Sequence, residues 1–248
     1  MRNKGFYLGA VLSMVLAAGT GFAATSTPGS QTTAAIQDRL YHAQVFKHGD
    51  VQVVYEGGVA TLTGTVDNLG SKLDAERAAR KVSGVKQIVD NISVRAEDVS
   101  ERQILEQARK EIVTYYAYGI FDNINLEAQG ETLIVSGQVT QPFKKTDIGN
   151  FLTRVRGVAD VENQLEVLPN SIFDDRLRLA VARAIYRDPY FIHYADQALP
   201  PIHIIVKNGD VTLEGIVATS LDHAKALMAA RSAGLSFAVV DHLRVERA

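Results

Sequence analysis

The chain has 248 residues, of which 46% are hydrophobic, and 26 Lys and Arg stand against 28 Asp and Glu for a formal charge of −2. This balance argues against nucleic acid as a partner, because proteins that bind it are usually basic with the charge gathered on one face. The chain contains no cysteine, which excludes disulfides, thiol chemistry and a lipid anchor on an N-terminal cysteine.

Residues 1–24 have the pattern of a secretory signal peptide. Arg2 and Lys4 precede an apolar run, and small residues follow it up to Ala24. A basic start, a short apolar region and a small-residue cleavage site define such a segment. A membrane anchor is the weaker alternative, because about 20 apolar residues are needed to cross a bilayer. We therefore expect an exported protein in the periplasm, with no transmembrane span after cleavage.

Residues 25–33 are mainly Thr, Ser, Pro, Gly and Gln, and we predict a disordered linker there. The chain that follows contains one pattern three times. A spacing of 30 positions from Gly to Val recurs at Gly64–Val94, Gly137–Val167 and Gly215–Val245. Fixed self-similarity indicates one supersecondary unit that has been copied. We predict unit 1 at residues 34–97, unit 2 at 98–169 and unit 3 at 170–248.

Each unit has the same predicted elements. Around Gly64, Gly137 and Gly215 apolar and polar residues alternate, which predicts a half-buried strand. Turn residues before it, such as Asn208-Gly209, predict a hairpin with a preceding strand. Helices are predicted before the hairpin and after it, and a last strand closes the unit. The order α-β-β-α-β predicts an α+β fold, with two helices covering one face of a three-stranded mixed sheet.

Several local features are expected from the same pattern. The first helix of unit 1 is expected to be short. In the second helices we expect Leu73, Ala224 and Met228 to face the core. The strand glycines are expected to admit a helix backbone or a bulge. A second glycine in each unit is expected to cap the helix before it. These second glycines are Gly84, Gly157 and Gly234.

These residues resemble a known family. The stretch from Gly58 to Val66, Gly-Val-Ala-Thr-Leu-Thr-Gly-Thr-Val, together with Gly84-Val85 and Asn91-Ile92-Ser93-Val94, is similar to the BON (bacterial OsmY and nodulation) domain. The stretch from Gly209 to Val217 matches as well, whereas the second copy, from Gly130 to Gly137, is looser. The chain resembles a periplasmic protein with three BON-like domains.

The resemblance implies a non-catalytic envelope module that contacts phospholipid surfaces and supports envelope integrity or osmotic-stress tolerance. It carries over no catalytic residues. A protein-interaction or chaperone-like module for envelope proteins is the alternative, using sheet edges or aromatic patches. The expected partners are an anionic phospholipid surface or envelope proteins.

The residues themselves indicate no catalytic, cofactor or metal site. The six histidines have no metal-ligand spacing, and neither a Gly-x-Ser-x-Gly motif nor a phosphate loop is present. We expect the histidines to be surface or hydrogen-bonded residues, although a zinc site between copies stays an alternative. We therefore expect that the protein is not an enzyme.

Two groups of side chains are candidates for lipid or partner binding. Aromatic rings cluster where the first helices of units 2 and 3 end, and such rings suit either a membrane boundary or a core. They are Tyr115, Tyr116, Tyr118, Phe121, Tyr186, Tyr190, Phe191 and Tyr194. Lys144 and Lys145 belong to a basic cluster that suits either an anionic bilayer or a solvated helix face. The segment 188–201 of unit 3 is longer than its equivalents, so we expect a feature particular to that unit there.

Overall fold

The protein is described by a computed structural model that covers residues 28–96, 98–234 and 236–246, so the predicted signal peptide lies outside the described residues. Unit 1 contains α1 (Pro28–His42), β1 (Gly49–Glu56), β2 (Val59–Val66), α2 (Leu69–Arg80) and β3 (Gln87–Val94). Unit 2 contains α3 (Glu101–Thr114), β4 (Asn123–Gln129), β5 (Thr132–Val139), α4 (Pro142–Leu152), β6 (Asp160–Asn163) and β7 (Glu166–Val167). Unit 3 contains α5 (Ile172–Tyr186), α6 (Ile192–Ala195), β8 (Ile202–Lys207), β9 (Asp210–Val217), α7 (Ser220–Ser232) and β10 (Ala238–Val245).

The sheet of each unit is mixed, as predicted. The central strand pairs antiparallel with its hairpin partner and parallel with the last strand of the unit. In unit 2 the last strand is interrupted, and β6 and β7 both pair with β5. At the interruption Asn163 turns its side chain to the backbone, accepting from Leu165 N–H and donating to the Lys145 carbonyl. The predicted α+β class and the α-β-β-α-β order are confirmed.

Every unit has its own hydrophobic core between its helices and one face of its sheet. In unit 1 the core contains Ile36, Leu40 and Leu62, and in unit 3 it contains Leu177 and Leu213. Each core therefore comes from the alternation of the strands and the helical spacing of apolar residues within one unit. The buried residues of each core belong to a single unit.

The prediction of disorder is wrong for residues 28–33, which form the first turns of α1. The prediction of a short first helix in unit 1 is also wrong, because α1 has 15 residues. Ile36 and Leu40, four residues apart, are fully buried in the core. In proteins most helical stability comes from packing of an apolar face rather than from composition, which explains both differences.

The strand glycines serve contacts between strands. At Gly64, Gly137 and Gly215 the backbone has φ of 144°, 115° and 125°, and an added Cβ would overlap a carbonyl oxygen of the neighbouring strand or the residue before it. For Gly215 this oxygen belongs to Pro201. The expected approach of a helix backbone is therefore wrong, and the ladders pass these glycines without a break in register.

The second glycines all have positive φ, but they differ in position. Gly234 follows directly after α7 and its C-cap Ala233, so it fits the predicted left-handed cap. Gly84 and Gly157 lie in the turns beyond α2 and α4, so the predicted capping role is wrong for units 1 and 2.

Units 1 and 2 are joined by three backbone hydrogen bonds that we call the seam. Leu69 N–H donates to the Val158 carbonyl (2.8 Å), and Gly157 N–H donates to the Asp67 carbonyl (2.8 Å). The third bond runs from Gly70 N–H to the Thr153 carbonyl (2.7 Å). The seam places the start of α2 against the end of α4.

Units 2 and 3 meet differently, along β8. His203 Nδ1 lies 2.6 Å from the Asp122 carbonyl oxygen, and Ile204 N–H donates to the Ile120 carbonyl (2.7 Å). Lys207 Nζ pairs with Glu166 (2.6 Å). Five of the six residues of β8 are buried, because unit 2 covers the sheet face that the helices of unit 3 leave open. Burial lowers the pKa of His203 despite its bonds to carbonyls, so this contact favours the neutral imidazole.

Candidate functional site

The outer side of α5 carries alternating apolar and basic side chains. Ile172, Arg176, Leu179 and Arg183 follow one another at intervals of four, three and four residues, so they share one side of the helix. All four are exposed, Leu179 by 46%. The core lies on the opposite side, where Leu177 and other apolar residues are fully buried.

The neighbouring helix α7 presents a second apolar stripe. Leu221 is 54% exposed and Met228 is 68% exposed, while Ala224 and Arg231 lie on the same side of the helix. The two helices pack against each other on the sheet of unit 3. We call one set of exposed residues on both helices the outer face of unit 3; Phe173 and Asp175 of α5 and Ser220 and Ser232 of α7 are exposed as well but are not counted in it. The outer face consists of Ile172, Arg176, Leu179, Arg183, Leu221, Ala224, Met228 and Arg231.

The expectation that Ala224 and Met228 face the core is wrong. The side of α7 that meets the sheet contains Asp222, Ala226 and Ala230, spaced by four residues. Leu73 in α2, also expected in the core, is 37% exposed. Small residues let these helices approach the sheet closely, and the larger apolar residues then fall outside.

Asp222 fixes this rotation of α7. Its carboxylate accepts hydrogen bonds from the hydroxyls of Tyr190 (2.7 Å) and Tyr194 (3.1 Å) and from Thr219 N–H (2.9 Å). Burial alone raises the pKa of Asp222, but bonds from Tyr190, Thr219 and Tyr194 outweigh burial and lower the pKa overall. An ionised Asp222 therefore holds α7 to the segment 188–201 and turns Met228 towards solvent.

Two phenylalanines extend the apolar surface beyond the start of α5. The rings of Phe173 and Phe237 stack with centroids 6.2 Å apart, and Phe237 is 81% exposed. They lie over Gly209, where an added Cβ would come within 2.5 Å of the Phe237 ring. Phe173 belongs to the first turn of α5, so this pair lies near the start of the outer face of unit 3.

The arginines of the outer face are not neutralised by neighbouring acids. Across the described ranges, the ion pair of α5 joins Arg178 to Asp175 (2.5 Å), and Arg178 is buried on the inner side. Arg176, Arg183 and Arg231 have no carboxylate within 4.0 Å in that part of the chain. Exposed apolar side chains interleaved with free guanidinium groups are typical of a surface that lies on an anionic bilayer.

Three of the predicted aromatic residues are core residues. Tyr115, Phe191 and Tyr194 are at most 6% exposed, so their prediction as contact residues for a partner is wrong. Tyr115 donates its hydroxyl to Asp147 (2.7 Å) and packs against Phe151. A 3₁₀ turn and α6 of the segment 188–201 bring Phe191 and Tyr194 into the core of unit 3.

Four more aromatic residues are half-buried at internal contacts. Tyr118 stacks on His203 at the junction of units 2 and 3, and burial together with Asp122 raises its pKa to about 12. Phe121 packs against the core of unit 3. The hydroxyl of Tyr186 donates to the Ile202 carbonyl (2.6 Å), and Tyr190 donates to Asp222. These side chains join elements of the chain to one another.

Tyr116 alone among the predicted aromatic residues is largely exposed, at 88%. Lys144 is not a surface lysine, because its Nζ lies 2.7 Å from Asp122 and its side chain is only 12% exposed. The buried Asp122 neutralises it, so the prediction of Lys144 as a lipid contact is wrong. Lys145 is half-buried beside it. The structure thus does not gather the predicted residues into one site.

Residues 28–96, 98–234 and 236–246 contain no cluster of three or more His, Asp or Glu side chains suited to hold a metal ion. None of the helices in these ranges combines the length and the apolar character needed to cross a bilayer.

A family model for the BON domain matches the chain three times, at residues 29–96, 101–169 and 174–247. The chain belongs to the BON family. The three BON matches confirm the resemblance and the number of repeats predicted from the glycine spacing. BON proteins are typical of the periplasm and cell envelope, are associated with phospholipid binding and are generally not enzymes.

This BON-family chain is also similar to solved structures of CdsD, a structural protein of the type III secretion system of Chlamydia trachomatis. The C-terminal domain of CdsD is 12% identical, with 85% of this chain and 96% of that chain covered and a TM-score of 0.26. A second CdsD structure is 13% identical, with 86% and 93% covered and the same TM-score. The search of curated proteins gives no match.

Sequence analysis missed the outer face of the third BON unit, although one signal was available. In α5 apolar residues occur on two opposite sides, because Ile172 and Leu179 lie across the helix from the buried positions Leu177, Val181 and Ile185. A helix that covers one sheet can bury only one side. The surplus apolar residues therefore had to lie at the surface, next to the arginines.

Proposed function

We propose that this BON protein is a non-catalytic protein of the periplasm that attaches to anionic phospholipid surfaces through the outer face of unit 3. By this attachment it supports envelope integrity or tolerance of osmotic stress. The observation that carries the proposal is the pair of exposed stripes: on α5 Ile172 and Leu179 alternate with Arg176 and Arg183, and on α7 Leu221 and Met228 lie on the same side as Arg231.

The energetics fit a reversible attachment. Each Lys or Arg near an anionic surface contributes about 1 kcal/mol, and a fully buried Leu or Met side chain contributes about 1.5–3 kcal/mol. Three arginines with partial insertion of Leu179, Leu221 and Met228 are enough for binding that salt weakens. Phe237 stands at the end of the same surface, so its ring can enter the boundary between headgroups and acyl chains.

The first helix of unit 2 does not offer such a surface. Along α3 the exposed positions alternate in sign, with Glu101, Glu106 and Glu111 beside Arg102 and Arg109. Arg102 pairs with Glu106 (3.1 Å) on the same helix. This mixed face is a solvated helix surface and supports the choice of unit 3 as the membrane contact.

Co-sedimentation with vesicles tests the proposal. The full chain is expected to bind vesicles that contain phosphatidylglycerol and not vesicles of phosphatidylcholine alone. In the double variant Arg176→Gln/Arg183→Gln the affinity is expected to fall about 30-fold, because two arginines contribute about 2 kcal/mol. The matched control is Arg102→Gln/Arg109→Gln, which removes two arginines at the same seven-residue spacing from α3. An equal loss in both double variants, or none in the first, contradicts the proposal.

A further inference from the structure

A groove of about 420 Å³ lies beside the seam, between α2 of unit 1 and the end of α4 in unit 2. Its lining contains Arg77, Arg80 and Arg154, and Glu76 is the acidic residue of that lining. Asn150 and Thr153 add neutral polar groups, and Leu73 adds an apolar one. Neither unit forms the groove alone, because Arg154 comes from unit 2 and the other arginines come from unit 1.

The walls of the groove are held in place. The three backbone hydrogen bonds of the seam fix the start of α2 against the end of α4. The side chain of Arg154 crosses Gly70, where an added Cβ would meet its Cδ at 2.6 Å. A ligand that enters the groove therefore meets side chains whose positions are already set, which lowers the entropic cost of binding.

Each arginine is anchored at one side of its guanidinium. Arg77 donates from Nη2 to Asp74 (2.5 Å) and from Nε to the Leu73 carbonyl (3.2 Å), while Arg154 Nη1 pairs with the other oxygen of Asp74 (2.5 Å). Arg80 pairs with Glu76 through Nη2. A guanidinium has five N–H donors, so each of the three keeps donors for a further acceptor. Their side chains are half-exposed or more, hence a solute can reach them.

The surroundings add to the positive charge. A second groove adjoins the first at Arg77 and is lined by Arg39, His42 and Lys81, with Asp74 as its acidic residue. The three arginines of the first groove face two carboxylates, Glu76 and Asp74, so one positive charge is in surplus there, in a protein whose overall formal charge is −2. Arginine suits phosphate in particular, because its planar fork matches two phosphate oxygens at once.

We infer that the groove between α2 and α4 is a binding site for a phosphate group, and that both units are needed to form it. The shared chemistry is a phosphate with two or three free oxygens, either of a free phosphate compound or of a lipid headgroup. Arg77 and Arg154, aligned by Asp74, bind the group from the two units, and Arg80, held by Glu76, offers a further N–H donor. This site is separate from the outer face of unit 3.

Isothermal titration of the full chain with inorganic phosphate tests the inference, with sodium chloride of equal ionic strength as the blank. We expect saturable binding that is weakened about tenfold in Arg154→Gln and in Arg77→Gln, since a charged hydrogen bond contributes on that scale. Arg102→Gln is the control, because Arg102, like Arg77, pairs with an acidic residue of its own helix but lies on α3, outside the groove. It is expected to bind phosphate like the unchanged chain.

A purely structural role of these arginines predicts another result. Arg80 and Arg154 lie near the ends of α2 and α4, where a positive charge also stabilises the helix dipole. Thermal unfolding of each variant without phosphate separates the two roles. Lower stability with unchanged phosphate affinity overturns the inference, as does the absence of saturable binding to the unchanged chain.

The source of the phosphate is resolved with two kinds of vesicle. Phosphatidic acid exposes a phosphate monoester, whereas phosphatidylglycerol has a diester with one charge. If phosphatidic acid vesicles reduce the binding of inorganic phosphate, and this reduction is lost in Arg154→Gln, the site binds a lipid headgroup. If the vesicles leave phosphate binding unchanged, the site binds a soluble phosphate. Arg176→Gln/Arg183→Gln should bind inorganic phosphate normally, so the inference and the proposed function fail independently.

Discussion

Units 1 and 3 have the same backbone plan but different outer residues on their second helices. Counted from the strand glycine, Met228 in α7 stands where Arg77 stands in α2, and Leu221 stands where Gly70 stands. In unit 1 these positions form the seam and the arginine groove, whereas in unit 3 they form an exposed apolar stripe. The repeat determines the fold, and the residues outside the core determine what each copy contacts.

The difference at Gly70 has a steric reason. Arg154 lies so close to Gly70 that any side chain there would displace it. A leucine at this position, such as Leu221 in α7, would displace the Arg154 side chain, so α7 does not offer the contact that α2 makes.

Units 1 and 3 share the strand glycine, and its replacement should have a large effect on the stability of both. Gly215→Val and Gly64→Val should each destabilise their unit by about 3 kcal/mol or more, because a Cβ overlaps a backbone carbonyl and φ is positive. Urea unfolding measures this loss. Gly130→Ala is the control, since no atom lies within 4 Å of its added Cβ, and it should lose only about 1–2 kcal/mol. Tolerance of valine in one unit alone would show that the two sheets are not equivalent.

Acidic substitutions on α5 and α7 test whether the membrane contact belongs to unit 3. Leu179→Asp/Met228→Asp should abolish co-sedimentation with phosphatidylglycerol vesicles, because it removes two apolar contacts and adds negative charge. Stability should change little, since both side chains lie outside the core. A control change on unit 2, Val113→Asp/Thr146→Asp, places aspartate at exposed positions of α3 and α4 and should leave vesicle binding within about twofold. Binding that survives in the first variant would move the membrane contact away from unit 3.

Units 1 and 3 should also differ in how their stability depends on pH. Asp222 occupies the capping position that Ser71 holds in α2, so only unit 3 has a carboxylate there. Because the folded state lowers the pKa of Asp222, its contribution is present above the unfolded pKa of about 4 and is lost as pH falls through the folded value. Asp222→Asn should lower the free energy of unfolding by about 1–3 kcal/mol at pH 7. It should also make stability fall less steeply as the pH is lowered below about 4. If the melting temperature of the variant falls with acidification as steeply as that of the unchanged chain, the ionised carboxylate of Asp222 does not contribute to stability.

The repeats and their strands could be predicted from sequence because two physical constraints recur at fixed spacing. Alternating apolar residues mark a strand with one buried face, and each strand glycine is required by a close carbonyl of the adjacent strand or of the residue just before it. The spacing located Gly64, Gly137 and Gly215 correctly, although the contact that they serve is between strands.

The orientation of side chains on the helices was less predictable. In α7 alanines pack on the sheet while Met228 faces solvent, because Asp222 is held by hydroxyls from a segment about 30 residues away. No local pattern contains that information. The prediction of Lys144 as a surface lysine was wrong for the same reason, because its partner Asp122 lies 22 residues earlier in the chain.

Single-site labelling shows whether the outer face of unit 3 lies on the membrane. Because the chain contains no cysteine, an environment-sensitive fluorophore can be placed at Met228→Cys, Leu179→Cys or the control Val113→Cys on α3. With phosphatidylglycerol vesicles the account predicts a blue shift and protection from aqueous quencher at Met228 and Leu179, and no change at Val113. A shift at Val113 with none at Met228 and Leu179 would contradict it.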